Sequence, residues 1–403
     1  MNKKENIKWI FFSLPKHAKK LTTANTIKVK IKLIGVLIYS FLNLNIIIFY
    51  QLISLFIKKK KIKKYIILGS QAPHHHENIY RFLKFDPEDA TLINTYDKKS
   101  ITSIEYIGLI SLYKELINNF IDAKEFLENH NDSYEPVDLI YRIKTSLASY
   151  SYFNLLFKQI KIKHRSINVY SGGAELASLS AIKNSLKTNY LSHGLLGLKA
   201  TADGSLSDFV EVKISDDNFP DYSIIYVYSD FEKNYLTSKL KKSKIISYPF
   251  QSLQELNKLV ILFFEITDEF FDEKKFSEIV EFFKKHNFEV FGKEHPANSN
   301  KFPEKFCIEN NITLIKGSKT AYEILNERHP MFALGWPSTS LCESLNLGVI
   351  PICIPDDHPF FKFKNFYPFQ SKALSWNKDT QKIENLISRK SEYNLCLEKL
   401  RSS

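Results

Sequence analysis

Glycine is scarce in this chain, with 12 among 403 residues, and none falls in a G-x-G-x-x-G pattern. A nicotinamide site uses those glycines to bring backbone close to a pyrophosphate, so their absence argues against that class. Cysteine is rarer still. Cys307, Cys342, Cys353 and Cys396 form no C-x-x-C pair and no zinc-like spacing with histidine. Reduced structural cysteines in a cytosolic domain are the simplest account. No Asp-x-Asp occurs anywhere, which argues against a metal-bridged diphosphate. His74-His75-His76 does not restore a metal reading. Adjacent histidines point in different directions, and no acid or cysteine cluster completes a site.

Acidic residues are nearly missing from the start of the chain. Residues 1–64 carry fifteen Lys and only Glu5, a charge of +14 against a total of +12, leaving −2 for the rest. The basic character belongs to that segment, so a nucleic-acid partner loses its support. Leu33 to Ile57 is free of charge over twenty-five residues, enough to span a bilayer. Asn43, Asn45 and Gln51 interrupt it, so it fits an interfacial amphipathic helix as well. Lys58, Lys59, Lys60, Lys61, Lys63 and Lys64 follow at once and are attracted to anionic cytoplasmic lipid. The alternative is a buried core helix followed by a solvated charge run. Nothing resembles a cleaved signal peptide. The expectation is a membrane-associating segment at 1–64, peripheral or single-span, on the cytoplasmic face of an inner membrane.

The remaining sequence alternates strands and helices. Tyr65 to Ser70, Ile167 to Tyr170, and Tyr222 to Tyr228 read as strands, with helices over Ile107 to Phe126 and Pro136 to Lys158 between them. The pattern restarts at Lys258 to Phe264. Helix Lys275 to His286, strand Phe288 to Phe291, strand Ile312 to Ile315, a helix near Thr320 to Asn326, and strand Met331 to Leu334 follow. The fold class expected is α/β with two Rossmann-like domains, 65–250 and 258–403, facing across a cleft. The polar stretch Tyr248 to Asn257 is the expected hinge.

Two short motifs stand at strand ends in the second half. Lys293-Glu294-His295-Pro296 follows strand Phe288 to Phe291, and Pro337-Ser338-Thr339-Ser340 opens a helix that carries Glu343. The free N–H groups and positive dipole of a helix N-terminus attract anions. A cationic or hydrogen-bonding histidine at a neighbouring strand end completes a phosphate clamp suited to a nucleotide-linked sugar. Plain N-capping explains the Ser-Thr-Ser run equally well, and both can hold at once. His329-Pro330 and His358-Pro359 show how little the His-Pro dipeptide says by itself.

At these residues the chain resembles bacterial two-Rossmann (GT-B) glycosyltransferases, closest to the sialyltransferase and polysialyltransferase families that use CMP-linked sugars. Those families carry a His-Pro motif and a Ser/Thr-rich motif in the C-terminal domain. Capsule-type Kdo transferases and CDP-polyol phosphotransferases share similar motifs. The forty-three residues from His295 to Ser338 suit one strand–helix–strand unit. The resemblance implies that Lys293, His295 and Pro296 sit at the donor phosphate. Ser338, Thr339 and Ser340 would donate to it, and Glu343 would accept from the ribose or base. It also implies a nucleotide sugar and a surface glycan or lipid-linked glycan as substrates, with no separate cofactor. Ser192-His193-Gly194 is similar to a His-Gly of capsule and teichoic-acid transferases, which makes His193 a candidate base. Asp203-Gly204 competes for that role. The family's base is an acid in a paired-acid Gly motif, whereas Ala202 precedes Asp203 here. A CDP-polyol phosphotransferase and a non-catalytic membrane-tethered scaffold stay open as alternatives.

Overall fold

The computed structural model describes residues 24–54, 56, 60–69, 79–80, 83–129, 136–172, 175–192, 198–200, 209–211, 219–227, 230–248, 255–264, 272–295, 302–317, 319–336, 338–354 and 373–402. Two six-stranded sheets organise them, with a two-stranded antiparallel hairpin besides. The chain divides into two compact units. One comprises 1–193, 213–226 and 237–246, and the other 194–212, 227–236 and 247–403.

The first sheet contains β1 (Tyr65–Gly69), β2 (Ala90–Asn94), β3 (Asn168–Ser171), β4 (Lys187–Leu191), β7 (Ile224–Val227) and β8 (Lys244–Ser247). Its order is β2-β1-β3-β4-β7-β8, and the pairs from β2 through β7 are parallel. β5 (Leu198–Ala200) and β6 (Phe209–Glu211) form the hairpin. The buried side chains of β1 form an uninterrupted run, as a parallel strand covered on both faces requires. Helices supply that cover. They are α1 (Ala24–Ser54), α2 (Lys98–Thr102), α3 (Leu109–Asn129), α4 (Pro136–Lys163) and α5 (Glu175–Lys183). α4 packs against α1, α3 and α5 and buries Tyr150, Tyr152, Phe153, Leu156, Phe157 and Ile160. Each such fully buried side chain contributes on the order of 1.5–3 kcal/mol. α6 (Asp230–Lys239) connects β7 to β8.

The second sheet contains β9 (Asn257–Phe263), β10 (Glu289–Lys293), β11 (Thr313–Ile315), β12 (Pro330–Gly335), β13 (Ile350–Cys353) and β14 (Leu374–Ser375). Every pair is parallel, in the order β11-β10-β9-β12-β13-β14. Counted from its own first strand, that is 3-2-1-4-5-6, the Rossmann order. The helices are α7 (Glu273–Lys285), α8 (Phe302–Glu309), α9 (Ala321–Arg328), α10 (Thr339–Asn346), α11 (Trp376–Ser388) and α12 (Lys390–Ser402). α7 shows why such a segment becomes a surface helix. Phe276, Ile279, Val280 and Phe283 recur at helical spacing on the buried face, and Asp272 caps the amide of Lys275. Tyr393 of α12 ties the C-terminus to the sheet. Its hydroxyl donates to Met331 O at 2.6 Å and accepts from Ile350 N–H at 3.1 Å.

The expected α/β class with two Rossmann-like sheets is what the structure shows. Several elements were not legible beforehand. β2, β8 and β14 are short and lack a strong apolar run, and α11 and α12 lie past the last recognised motif. The expected hinge falls mostly outside the described residues.

Candidate functional site

The parallel registers place one residue from each strand of the second sheet in a single row at the C-terminal edge. Ile315 pairs with Lys293, Lys293 with Phe263, Gly335 with Cys353, and Cys353 with Ser375. Gly335 is the neighbour of Phe263 across the β9–β12 pair. A Cβ built on it would lie 3.0 Å from the Phe263 carbonyl oxygen. Glycine at 335 thus relieves a tight contact with the β9 backbone at the place where strand order reverses, between β9 and β12. Ligands of open α/β sheets bind beyond such a switch point.

Both motifs emerge from this edge. His295 stands two residues past Lys293 at the end of β10, and Ser338 three residues past Gly335 at the end of β12. The two exit strands flank β9, so their ends lie roughly 10 Å apart at normal strand spacing. His295, Ser338 and Ser340 are half-buried.

Lys293 differs from its expected setting. It is the last residue of β10, not part of the following turn, and its side chain is only 3% exposed. Its Nζ donates to Gly317 O at 2.9 Å. Burial pushes its pKa below the ordinary lysine value, and the nearby Glu294 carboxylate partly offsets this. Gly317, which sequence reasoning did not single out, has φ of 97°. The Lys-Gly-Ser stretch at 316–318 was the available signal, because a positive φ favours glycine. Behind the motif lies Cys307, whose thiol burial pushes up to about 12. A Cβ at Gly292 would meet its Sγ at 2.7 Å.

Ser338 is the N-cap of α10 in extended backbone, yet its side chain makes no capping hydrogen bond. The contrast within this unit is clear. Asp272 caps α7, Ser375 caps α11, and Thr320 with Glu323 forms a full capping box on α9. The first turn of α10 thus lacks the side-chain cap its neighbours have, at the one helix that starts from β12 beside the switch point. The far end of α10 is closed. Gly348 takes φ of 87°, Val349 N–H donates to Ser344 O at 2.9 Å, and Gly348 N–H donates to Leu345 O at 3.2 Å. Arg401 donates to the carbonyls of Leu345 and Asn346 at 3.1 and 3.2 Å. A cation at the C-terminus reinforces the dipole. Glu343, one turn into α10, is buried.

His193, Asp203 and Pro296 lie outside the described residues, as do the His74 to His76 run and His358-Pro359. Asp203 belongs to the connection between β5 and β6. The backbone of Thr339 begins α10. His329 is the C-cap of α9 in left-handed backbone, with φ of 48°. Among the described residues, no group of three or more His, Cys, Asp or Glu could hold a metal ion.

No protein-family model matches the chain, and no curated protein matches it. Solved structures of similar fold include the S. aureus protein MnaA with UDP, at 10% identity and a TM-score of 0.43, covering 84% of this chain and 92% of that one. The UDP-GlcNAc 2-epimerase from Neisseria meningitidis bound to UDP-GlcNAc gives 12% identity and 0.40, covering 84% and 94%. Os79 from O. sativa, in complex with UDP and deoxynivalenol-3-glucoside, gives 14% identity and 0.43, with the same 84% and 94% coverage. At such identities these are likenesses of fold and nothing more.

Proposed function

We propose that this chain is an inverting, metal-independent glycosyltransferase acting on a nucleotide-linked sugar. The observation that carries the reading is the α10 N-terminus. It opens without a side-chain cap at the switch point of the second sheet, with His295 at the same sheet edge. Backbone N–H groups and a helix dipole at that position suit a phosphate oxygen. Lys293 and His295 add positive charge or hydrogen bonding at the end of β10, one strand beyond β9.

The chemistry follows from that placement. An acceptor hydroxyl oxygen attacks the anomeric carbon from the face opposite the nucleotide. The bond from that carbon to the phosphate oxygen breaks, and the nucleotide leaves with the electron pair. Its added negative charge is stabilised by the α10 amides with Ser338, Thr339 and Ser340, and by His295 and Lys293. The acceptor's proton goes to a base, for which His193 and Asp203 are the candidates. Glu343 would orient the ribose or base. Metal independence rests on the lack of Asp-x-Asp and on the presence of these groups.

The finer reading takes the donor as a CMP-linked acidic sugar of the sialic-acid kind and the acceptor as a bacterial surface glycan. Its support is the motif resemblance in the sequence. Thermal stabilisation of the full chain by CMP, CDP, UDP and GDP separates donor classes, since a ligand bound at 100 times its Kd adds about 2.7 kcal/mol. Identifying the group carried by the product, a sugar or a phosphoryl-polyol, separates glycosyl transfer from CDP-polyol transfer, since both release a nucleotide. His295→Ala should lower transfer by about a hundredfold, as loss of a charge-stabilising donor does. Unchanged transfer and unchanged nucleotide binding in that variant would remove the clamp. Absence of any nucleotide binding in the wild type would leave the scaffold reading.

A further inference from the structure

α1 is divided lengthwise into two unlike faces. Val36, Ser40, Leu44, Ile47, Gln51 and Ser54 recur three or four residues apart and are buried in the first unit. On the opposite side Ile34, Ile38, Leu42, Phe49 and Leu52 are 44% to 62% exposed, and Phe56 just beyond is 92% exposed. α3 continues this outer surface with Ile110, Ile117 and Ile121, exposed at 85%, 44% and 55%. Tyr113 of α3 joins the two helices at that border. Its ring stacks on Phe41 at 5.7 Å, and its hydroxyl donates to Asn45 Oδ1 at 2.6 Å. Exposed apolar side chains on two helices in contact fit an interaction surface.

The inner face is held by bonds that lipid cannot replace. Ser54 Oγ donates to Thr102 O at 3.2 Å, and Lys98 Nζ donates to Asn43 Oδ1 at 3.2 Å. The Gln51 amide is placed to bond both the carbonyl and the N–H of Ile107, at 3.1 and 3.0 Å. Crossing a bilayer would break these and set Ser40, Gln51 and Ser54 in hydrocarbon, at a cost of several kcal/mol for each unsatisfied group. The length and apolar character of Ile34–Ser54 would permit a span; the packing of one face onto the unit opposes it.

The charge pattern says what covers the outer face. Residues 33–57 carry no charge, and six lysines follow at 58–61, 63 and 64. Lys60, Lys61, Lys63 and Lys64 are exposed. An apolar stripe ending in a lysine cluster complements acyl chains beneath anionic headgroups. We propose that the outer faces of α1 and α3 form a monotopic docking surface for an anionic bilayer, with α1 lying along the interface and not crossing it. The surface belongs to the first unit and the donor-site residues to the second, so this reading does not depend on the enzymatic one.

Flotation of the full chain tests it, using vesicles of phosphatidylglycerol with phosphatidylethanolamine against vesicles of phosphatidylcholine alone. Wild type should float with the anionic vesicles, less so at high salt, and alkaline carbonate should strip it from native membranes. The double variant Leu42→Glu with Phe49→Glu should lose about tenfold or more of its partitioning. Its melting temperature should stay unchanged, because both side chains are exposed. Resistance to carbonate would show a spanning helix and overturn the proposal. So would wild type that floats with neither vesicle, undiminished binding by the double variant, or a wild-type dimer that the variant dissociates without any vesicle binding.

Discussion

The ammonium of Lys293 donates to the carbonyl oxygen of Gly317 at 2.9 Å, fastening the end of β10 to the loop after β11. The pairing makes Lys293 part of the sheet edge while leaving two of its three donors for other partners. Substitution by methionine keeps the stem and removes the charge. The folded pKa of Lys293 is lowered by burial from 10.5. Between that lowered value and 10.5 the unfolded chain binds more protons than the folded one, so this group makes stability rise with pH. Denaturant melts from pH 7 to 10 should show wild type gaining on Lys293→Met as pH increases. A difference that stays flat with pH would show that the ammonium is not held below its ordinary range.

The caps of α9 and α10 predict opposite outcomes for similar substitutions. Thr320→Ala removes the side-chain half of a capping box, the bond from Glu323 N–H to Thr320 Oγ1, and leaves the Thr320 N–H on the Glu323 carboxylate; it should cost about 1 kcal/mol. Ser338→Ala removes no capping bond and should change stability by less than about 0.5 kcal/mol. Nucleotide binding should follow the reverse pattern, weakened at Ser338 and intact at Thr320. Calorimetric melting beside titration with nucleotide reads both.

Glycines 335 and 35 form a matched pair. A methyl at 335 would press on the Phe263 carbonyl at 3.0 Å, and the neighbour is backbone that cannot rotate away. Gly335→Ala should destabilise by about 1–3 kcal/mol and disturb the sheet edge where the clamp sits. Gly35 lies within α1 with nothing within 4 Å of a built Cβ. Gly35→Ala should stabilise by about 0.5–1 kcal/mol through helix propensity. Equal effects from the two would refute the packing argument.

Much of the second unit was legible in the residues. The apolar runs at 258–264 and 331–334 read as buried parallel strands, and β9 and β12 match them closely. The Ser-Thr-Ser run opens a helix as expected. The apolar run ends at Phe291, because Gly292-Lys293 breaks it, whereas β10 continues two residues further to Lys293. Pairing with Phe263 and Ile315 carries the strand on to Lys293 regardless. Gly317 could not be found as a partner, since its link to Lys293 crosses twenty-four residues of sequence. Neither the short β14 nor the bend to α11 has a local signal strong enough to announce it.

Local pattern determined the strand and helix types, the α/β class, the lysine-rich flank of an apolar helix, and the presence of two hydroxyl- and histidine-bearing turns. Those depend on periodicity and on residue chemistry, which the chain carries in order. Tertiary structure decided the strand order 3-2-1-4-5-6 of the second sheet, and with it that β10 and β12 flank β9. It also decided that α10 opens without a side-chain cap, that Lys293 turns to Gly317, and that one side of α1 is packed while the other faces outward. Each of these follows from which distant segments pair. That choice is made by summed burial and backbone pairing over the whole unit, not by any stretch read alone.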